Sequence, residues 1–80
     1  MRKIEVLGSG CPNCRKLEAN AREAALMAGV EAEILHVTDP REIVARGVMS
    51  TPGLVIDGEV VSTGRIPNAG DIAMLLTERG

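Results

Sequence analysis

The sequence has no Phe, Tyr or Trp, so its core must be assembled from Val, Ile, Leu, Met and Ala. The aromatic platforms on which single-stranded nucleic acid usually stacks are missing as well. Positive charge is not in excess: 9 Lys and Arg stand against 11 Asp and Glu, a formal charge of -2, which disfavours a phosphate backbone as partner. No run of about 18 apolar residues is present, so no membrane-spanning helix is expected. The opening MRKIEVLG is too short and too early charged for a signal peptide, and a cytoplasmic location is expected. Cysteine is scarce, with 2 in all. A disulfide-dependent secreted domain normally carries several bridges, and two cysteines this close would shut a loop too small to constrain the unfolded chain.

What is present reads as one compact unit over residues 1–80. A domain of that length hides only about 60% of its unfolded surface, so its core is modest. Lys3 to Leu7, apolar at Ile4, Val6 and Leu7, is predicted to be a strand ending at the turn-prone Gly8-Ser9-Gly10. From Pro12 to Ala28 the period changes to helical, with Cys14, Leu17, Ala21, Ala25 and Ala28 on one stripe and Glu18 four residues before Arg22. Gly29 is placed to cap that helix, and a second strand is predicted from Val30 through Ile34, Leu35 and Val37. Asp39-Pro40-Arg41-Glu42 combines a cap acceptor, a proline at the first helical position and an early acid, so a short helix should run to about Arg46 and stop at Gly47.

Leu54-Val55-Ile56 and Glu59-Val60-Val61-Ser62 flank Asp57-Gly58. Both turn residues tolerate positive φ, which predicts a hairpin closed by a type I′ turn. A last helix should follow Asn68, with Asp71 in its first turn and Ala69, Ile72, Leu75 and Leu76 as its apolar stripe. The order βαβαββα implies an α/β fold: a mixed four-stranded sheet whose first two strands are parallel through a right-handed crossover, with helices on both faces.

The chemistry concentrates at Cys11 and Cys14, which stand at a strand-to-helix junction. With Cys11 at the helix N-cap, the unpaired N–H groups of Asn13, Cys14 and Arg15 and the helix dipole would favour a thiolate there. Cys14, one turn deeper, is predicted to point inward with Leu17 and Ala21. Cys11 is then the candidate nucleophile toward a partner's disulfide, and Cys14 the thiol that resolves the mixed disulfide. No metal and no separate cofactor is required. Two soft sulfurs could instead carry Cu(I) or Zn(II), although they would fill only half of a tetrahedral zinc site. A redox-sensing regulator would use the same thiol chemistry.

Gly10-Cys11-Pro12-Asn13-Cys14 on this junction, Ser50-Thr51-Pro52 just before a strand, and Asp57-Gly58-Glu59-Val60 in the next hairpin resemble the thioredoxin and glutaredoxin superfamily. The chain is most similar to its short bacterial and archaeal members, the small redox-active disulfide proteins. Gly10 stands where thioredoxins proper carry tryptophan, and the glutaredoxin pattern is half met at Asn13 and Gly64-Arg65. The resemblance implies a thioredoxin-like fold and a thiol:disulfide oxidoreductase with disulfide-containing client proteins and a reductase as partners. It also implies a cis-proline at Pro52, a Thr51 backbone offered to substrate, and substrate contacts at Pro12 and Asn13. Glu5, six positions before Cys11, matches the buried acid that serves these proteins as a proton acceptor, for which burial would raise the pKa; read from the residues alone it is equally a surface acid on an irregular first strand. A monomer is expected, since no aromatic anchor is available for a strong interface. His36 has no sequence link to the cysteines and reads as a surface or core residue; Met49 reads as core in preference to a contact surface.

Overall fold

A computed structural model describes residues 2–8 and 12–78. Seven elements follow in the order β1 (Arg2–Leu7), α1 (Pro12–Ala28), β2 (Ala32–Val37), α2 (Pro40–Ala45), β3 (Gly53–Ile56), β4 (Glu59–Thr63) and α3 (Ala69–Glu78). The strands form one sheet in the order β2-β1-β3-β4, with β1 parallel to β2 and antiparallel to β3, and β3 antiparallel to β4. This is the mixed sheet and element order that the sequence predicts.

The pleat sorts the core into two layers. Ile4 and Val6 of β1, opposite Ile56 and Leu54 of β3, point to the face where Leu17, Ala21, Ala24 and Ala25 of α1 meet Ile72 and Leu76 of α3. Leu7 and Val55 point to the other face, against Ile43 of α2 and Val48. Helices therefore cover both faces. Each fully buried Leu, Ile or Val contributes about 1.5–3 kcal/mol relative to exposure, which is how a chain without aromatics builds a core.

Local chemistry sets the ends of the elements. Gly29 at φ 65° lets the Gly29 N–H reach the Leu26 carbonyl at 3.2 Å and the Val30 N–H reach that of Ala25 at 3.0 Å, a Schellman ending. Val30 is consumed by that cap, so β2 begins at Ala32 and not at Val30 as the sequence suggests. Asp39 accepts from the Arg41 N–H at 2.9 Å and caps α2, while Asn68 accepts from the Asp71 N–H at 2.8 Å and caps α3. Asp57 and Gly58, at φ 50° and 84°, form the expected tight hairpin turn. Beyond it, Leu54 faces Ser62 and Val55 faces Val60, so Val61 is the extra residue of a bulge in edge strand β4.

Candidate active site

The C-terminal end of β1, the first turn of α1 and the segment before β3 converge. Gly8 follows β1 directly and extends its parallel ladder by one bond, its N–H donating to the Val37 carbonyl at 2.9 Å. Cys14 is the third residue of α1 and has no exposed surface. Its Sγ lies so close over Gly8 that a Cβ placed there would overlap it, while reaching Thr51 Cβ at 3.9 Å. Sulfur, strand end and Thr51 thus share one small volume. Cys11, Ser9 and Gly10 lie outside the described residues, so the N-cap position of Cys11 is not addressed by the structure. Pro12 and Asn13 are exposed at the helix tip.

Thr51 is exposed and Pro52 buried, and the peptide bond between them is cis. This segment is held from the far side: the Gly64 N–H donates to the Pro52 carbonyl at 2.9 Å. Gly64 has φ 66°, and a Cβ there would come within 3.1 Å of Ser50 Cβ, so a side chain would press directly on the segment. Met49 is 86% exposed, which overturns the core assignment made from sequence. The chain leaves α2 through Gly47 at φ 81° and buries Val48 instead, turning Met49 outward. Together with the exposed Val44 of α2, Met49 borders a shallow groove of about 250 Å³ that runs from Pro40 to Thr51.

Glu5 is buried on the α2 face of the sheet, 5% exposed. The Arg46 guanidinium grips it with two bonds, Nη2 to Oε1 at 2.8 Å and Nε to Oε2 at 3.2 Å. Those bonds outweigh desolvation and, helped by the charges of Arg46 and Lys3, hold the Glu5 carboxyl below its ordinary pKa. The raised pKa expected of a buried proton acceptor at Glu5 is therefore corrected. The reason is Arg46, which no sequence pattern pairs with a residue 41 positions away. Arg46 also donates from Nη1 to the Glu42 carbonyl at 3.1 Å, so one side chain ties the end of α2 to β1.

His36 lies on the α1 face, its Nδ1 3.4 Å from Glu18 Oε1; Glu18 also meets Arg22 at 3.3 Å. These groups stitch β2 to the surface of α1. Among the described residues no group of three or more His, Cys, Asp or Glu is arranged to hold a metal ion, and no helix is long and apolar enough to cross a membrane.

Sequence reasoning missed Gly8, Arg46 and Gly64. Gly8 is visible in the sequence only as part of a turn, and the contacts of the other two depend on chain packing.

Comparison with known proteins agrees with this geometry. The model of a family described as a thioredoxin domain matches residues 2–77. A thioredoxin of Methanothermobacter thermautotrophicus is 39% identical over 77 residues, covering 96% of this chain and 100% of its own. Another, of Methanocaldococcus jannaschii, is 41% identical over 69 residues, covering 86% of this chain and 79% of its own. The structure superimposes on thioredoxin-2 of the malaria parasite, described as a component of its protein secretion machinery, with a TM-score of 0.68 over 98% of this chain and 82% of the other. At 16% identity that likeness speaks for the fold alone. With nearly the full length matched in family and fold, and a cysteine sulfur lodged where β1, α1 and the Pro52 segment meet, the chain belongs to the thioredoxin family.

Proposed function

We propose that Cys11 and Cys14 are the working dithiol of this thiol-disulfide oxidoreductase, with Cys11 the attacking sulfur and Cys14 the resolving one. The observation that carries this is the burial of Cys14 Sγ in the first turn of α1, against Gly8 and beside Thr51, three positions after the other cysteine. The Cys11 thiolate attacks one sulfur of a client disulfide; an S–S bond forms to Cys11 and the client's other sulfur leaves as thiolate. Cys14, as thiolate, then attacks Cys11 Sγ, the Cys11–Cys14 bond forms, and the second client sulfur leaves. The client gains two electrons and takes up two protons, and the protein is left with a disulfide. Because both steps are sulfur displacements, the reading needs no bound cofactor. A reductase must return two electrons to the oxidised form.

The groove from Pro40 to Thr51, with Met49 and Val44 exposed on it, suits an extended apolar stretch of client chain. The Thr51 backbone would pair with that stretch, and Pro12 and Asn13 would border it. Glu5 is ionised at neutral pH and engaged by Arg46, so it is given no proton-transfer role. The protein is read as a single cytoplasmic domain acting as a monomer. Metal carriage gains no support from the relatives, both of which are thioredoxins.

The test compares reduction of a model disulfide by the wild type, Cys11→Ser and Cys14→Ser. Turnover should vanish in both variants, and Cys14→Ser alone should accumulate a covalent adduct with the substrate. Adduct on Cys11→Ser instead would reverse the two roles. Wild-type protein that stays reduced under mild oxidant and copurifies with Cu(I) or Zn(II) would replace the reading with metal carriage.

A further inference from the structure

We propose that Gly8 is a positioning residue for the resolving step: its missing side chain is the space in which the Cys14 sulfur sits before attacking Cys11. The inference rests on the dithiol reading of the proposed function. Gly8 is buried, and its N–H is bonded to the Val37 carbonyl, which opposes a shift of its backbone away from α1. Its φ lies outside the left-handed region, so alanine is admissible on backbone grounds. Among the described residues, the only severe conflict of an added Cβ is with Cys14 Sγ. Its next neighbours, Cys14 Cβ at 3.4 Å and Thr51 Cβ at 3.9 Å, are at ordinary contact distance.

The cysteine has few ways out. The Cys14 χ1 has three staggered wells, and one of them holds the sulfur over Gly8. A methyl group on Gly8 removes that well and forces Cys14 either into another or off the staggered position. Either way the sulfur that must reach Cys11 starts from the wrong place. Misplacing a reacting atom by about 1 Å can slow a step on the order of 100-fold. The first displacement, made by Cys11, does not involve the Cys14 sulfur, so the two half-reactions should respond differently.

The experiment mixes reduced Gly8→Ala with a disulfide peptide and follows the mixed disulfide by acid quench and mass measurement. We expect the adduct to form at the wild-type rate but to persist at least about tenfold longer before the client is released. In a Cys14→Ala background, where resolution is absent, adding Gly8→Ala should leave adduct formation unchanged. The melting temperature supplies an independent readout: Gly8→Ala should lower it in the wild type but not in Cys14→Ala, because the sulfur is what the methyl strikes. If Gly8→Ala alone does not fold, the cycle still tests the premise, since Gly8→Ala/Cys14→Ala should then fold like Cys14→Ala and failure to do so overturns the proposal.

Resolution at the wild-type rate in Gly8→Ala overturns the positioning role while leaving the dithiol reading intact. Equal destabilisation in both backgrounds overturns it too, by locating the clash elsewhere. Wild-type protein that forms no adduct and reduces no peptide removes the dithiol reading, and the positioning role with it.

Discussion

Replacing Asp57 with alanine removes three things that the hairpin turn provides. At φ 50° Asp57 occupies left-handed backbone space, which aspartate tolerates and alanine resists by about 1 kcal/mol. Its Oδ1 accepts from the Lys3 N–H at 2.9 Å, a bond worth about 1 kcal/mol. Its Oδ2 lies 2.8 Å from Arg2 Nε; the carboxylate side chain is 44% exposed, so this pair adds at most about 1 kcal/mol. The total loss is about 2–3 kcal/mol. Unfolding entropy of about 2.1 cal/mol/K per residue makes 1 kcal/mol worth about 6 °C in a chain of 80 residues. Asp57→Ala should therefore melt about 12–18 °C below the wild type when followed by circular dichroism. Asp57→Asn keeps the backbone tolerance and the Lys3 acceptor, so it should fall by less than about 6 °C. Disulfide reduction well below either transition should be unchanged, because the turn lies at the opposite end of β3 from Pro52. An alanine variant within a few degrees of the wild type, or an asparagine variant no better than alanine, would refute the assignment of stability to this turn.

The Glu5 carboxyl has a lowered pKa in the folded protein, so it adds stability that is complete above its ordinary value of 4.5 and is lost as pH falls through the depressed one. Glu5→Gln should accordingly show a shallower decline in melting temperature below pH 4.5 than the wild type. Leu17 has no exposed surface, and Leu17→Ala should cost about 2–5 kcal/mol, or about 12–30 °C, by thermal melting. A Cβ on Gly53 would sit 2.9 Å from Val48 Cγ1, so Gly53→Ala should be destabilising in the wild type and much less so in Val48→Ala, by denaturant titration of the four proteins.

Most of the fold is legible in the sequence because its signals are short-range. Pro12 and Gly29 bracket α1, Asp39-Pro40 and Gly47 bracket α2, and Asp57-Gly58 closes the hairpin, each through backbone angles or cap bonds made within a few residues. The start of β2 departs from expectation for an equally local reason: Val30 looks like strand by composition, but its N–H completes the end of α1. Met49 departs from it because hydrophobicity reports what a residue tolerates, while the outward turn after Gly47 decides where it points. Glu5 shows the limit more sharply. Its burial follows from its place on a central strand, but the sign of its pKa change depends on Arg46 arriving from the end of α2.

The amino-acid sequence by itself determined the seven elements, the hairpin and the spacing of Cys11 and Cys14, since periodicity, caps and turn angles are set by neighbours along the chain. Only the tertiary structure decided that the Cys14 sulfur would lie over Gly8 and beside Thr51, and that Arg46 would reach Glu5. Those contacts join residues from separate strands, helices and loops. They exist because the sheet register and the packing of helices on its two faces bring those segments together, and no local preference encodes such a meeting.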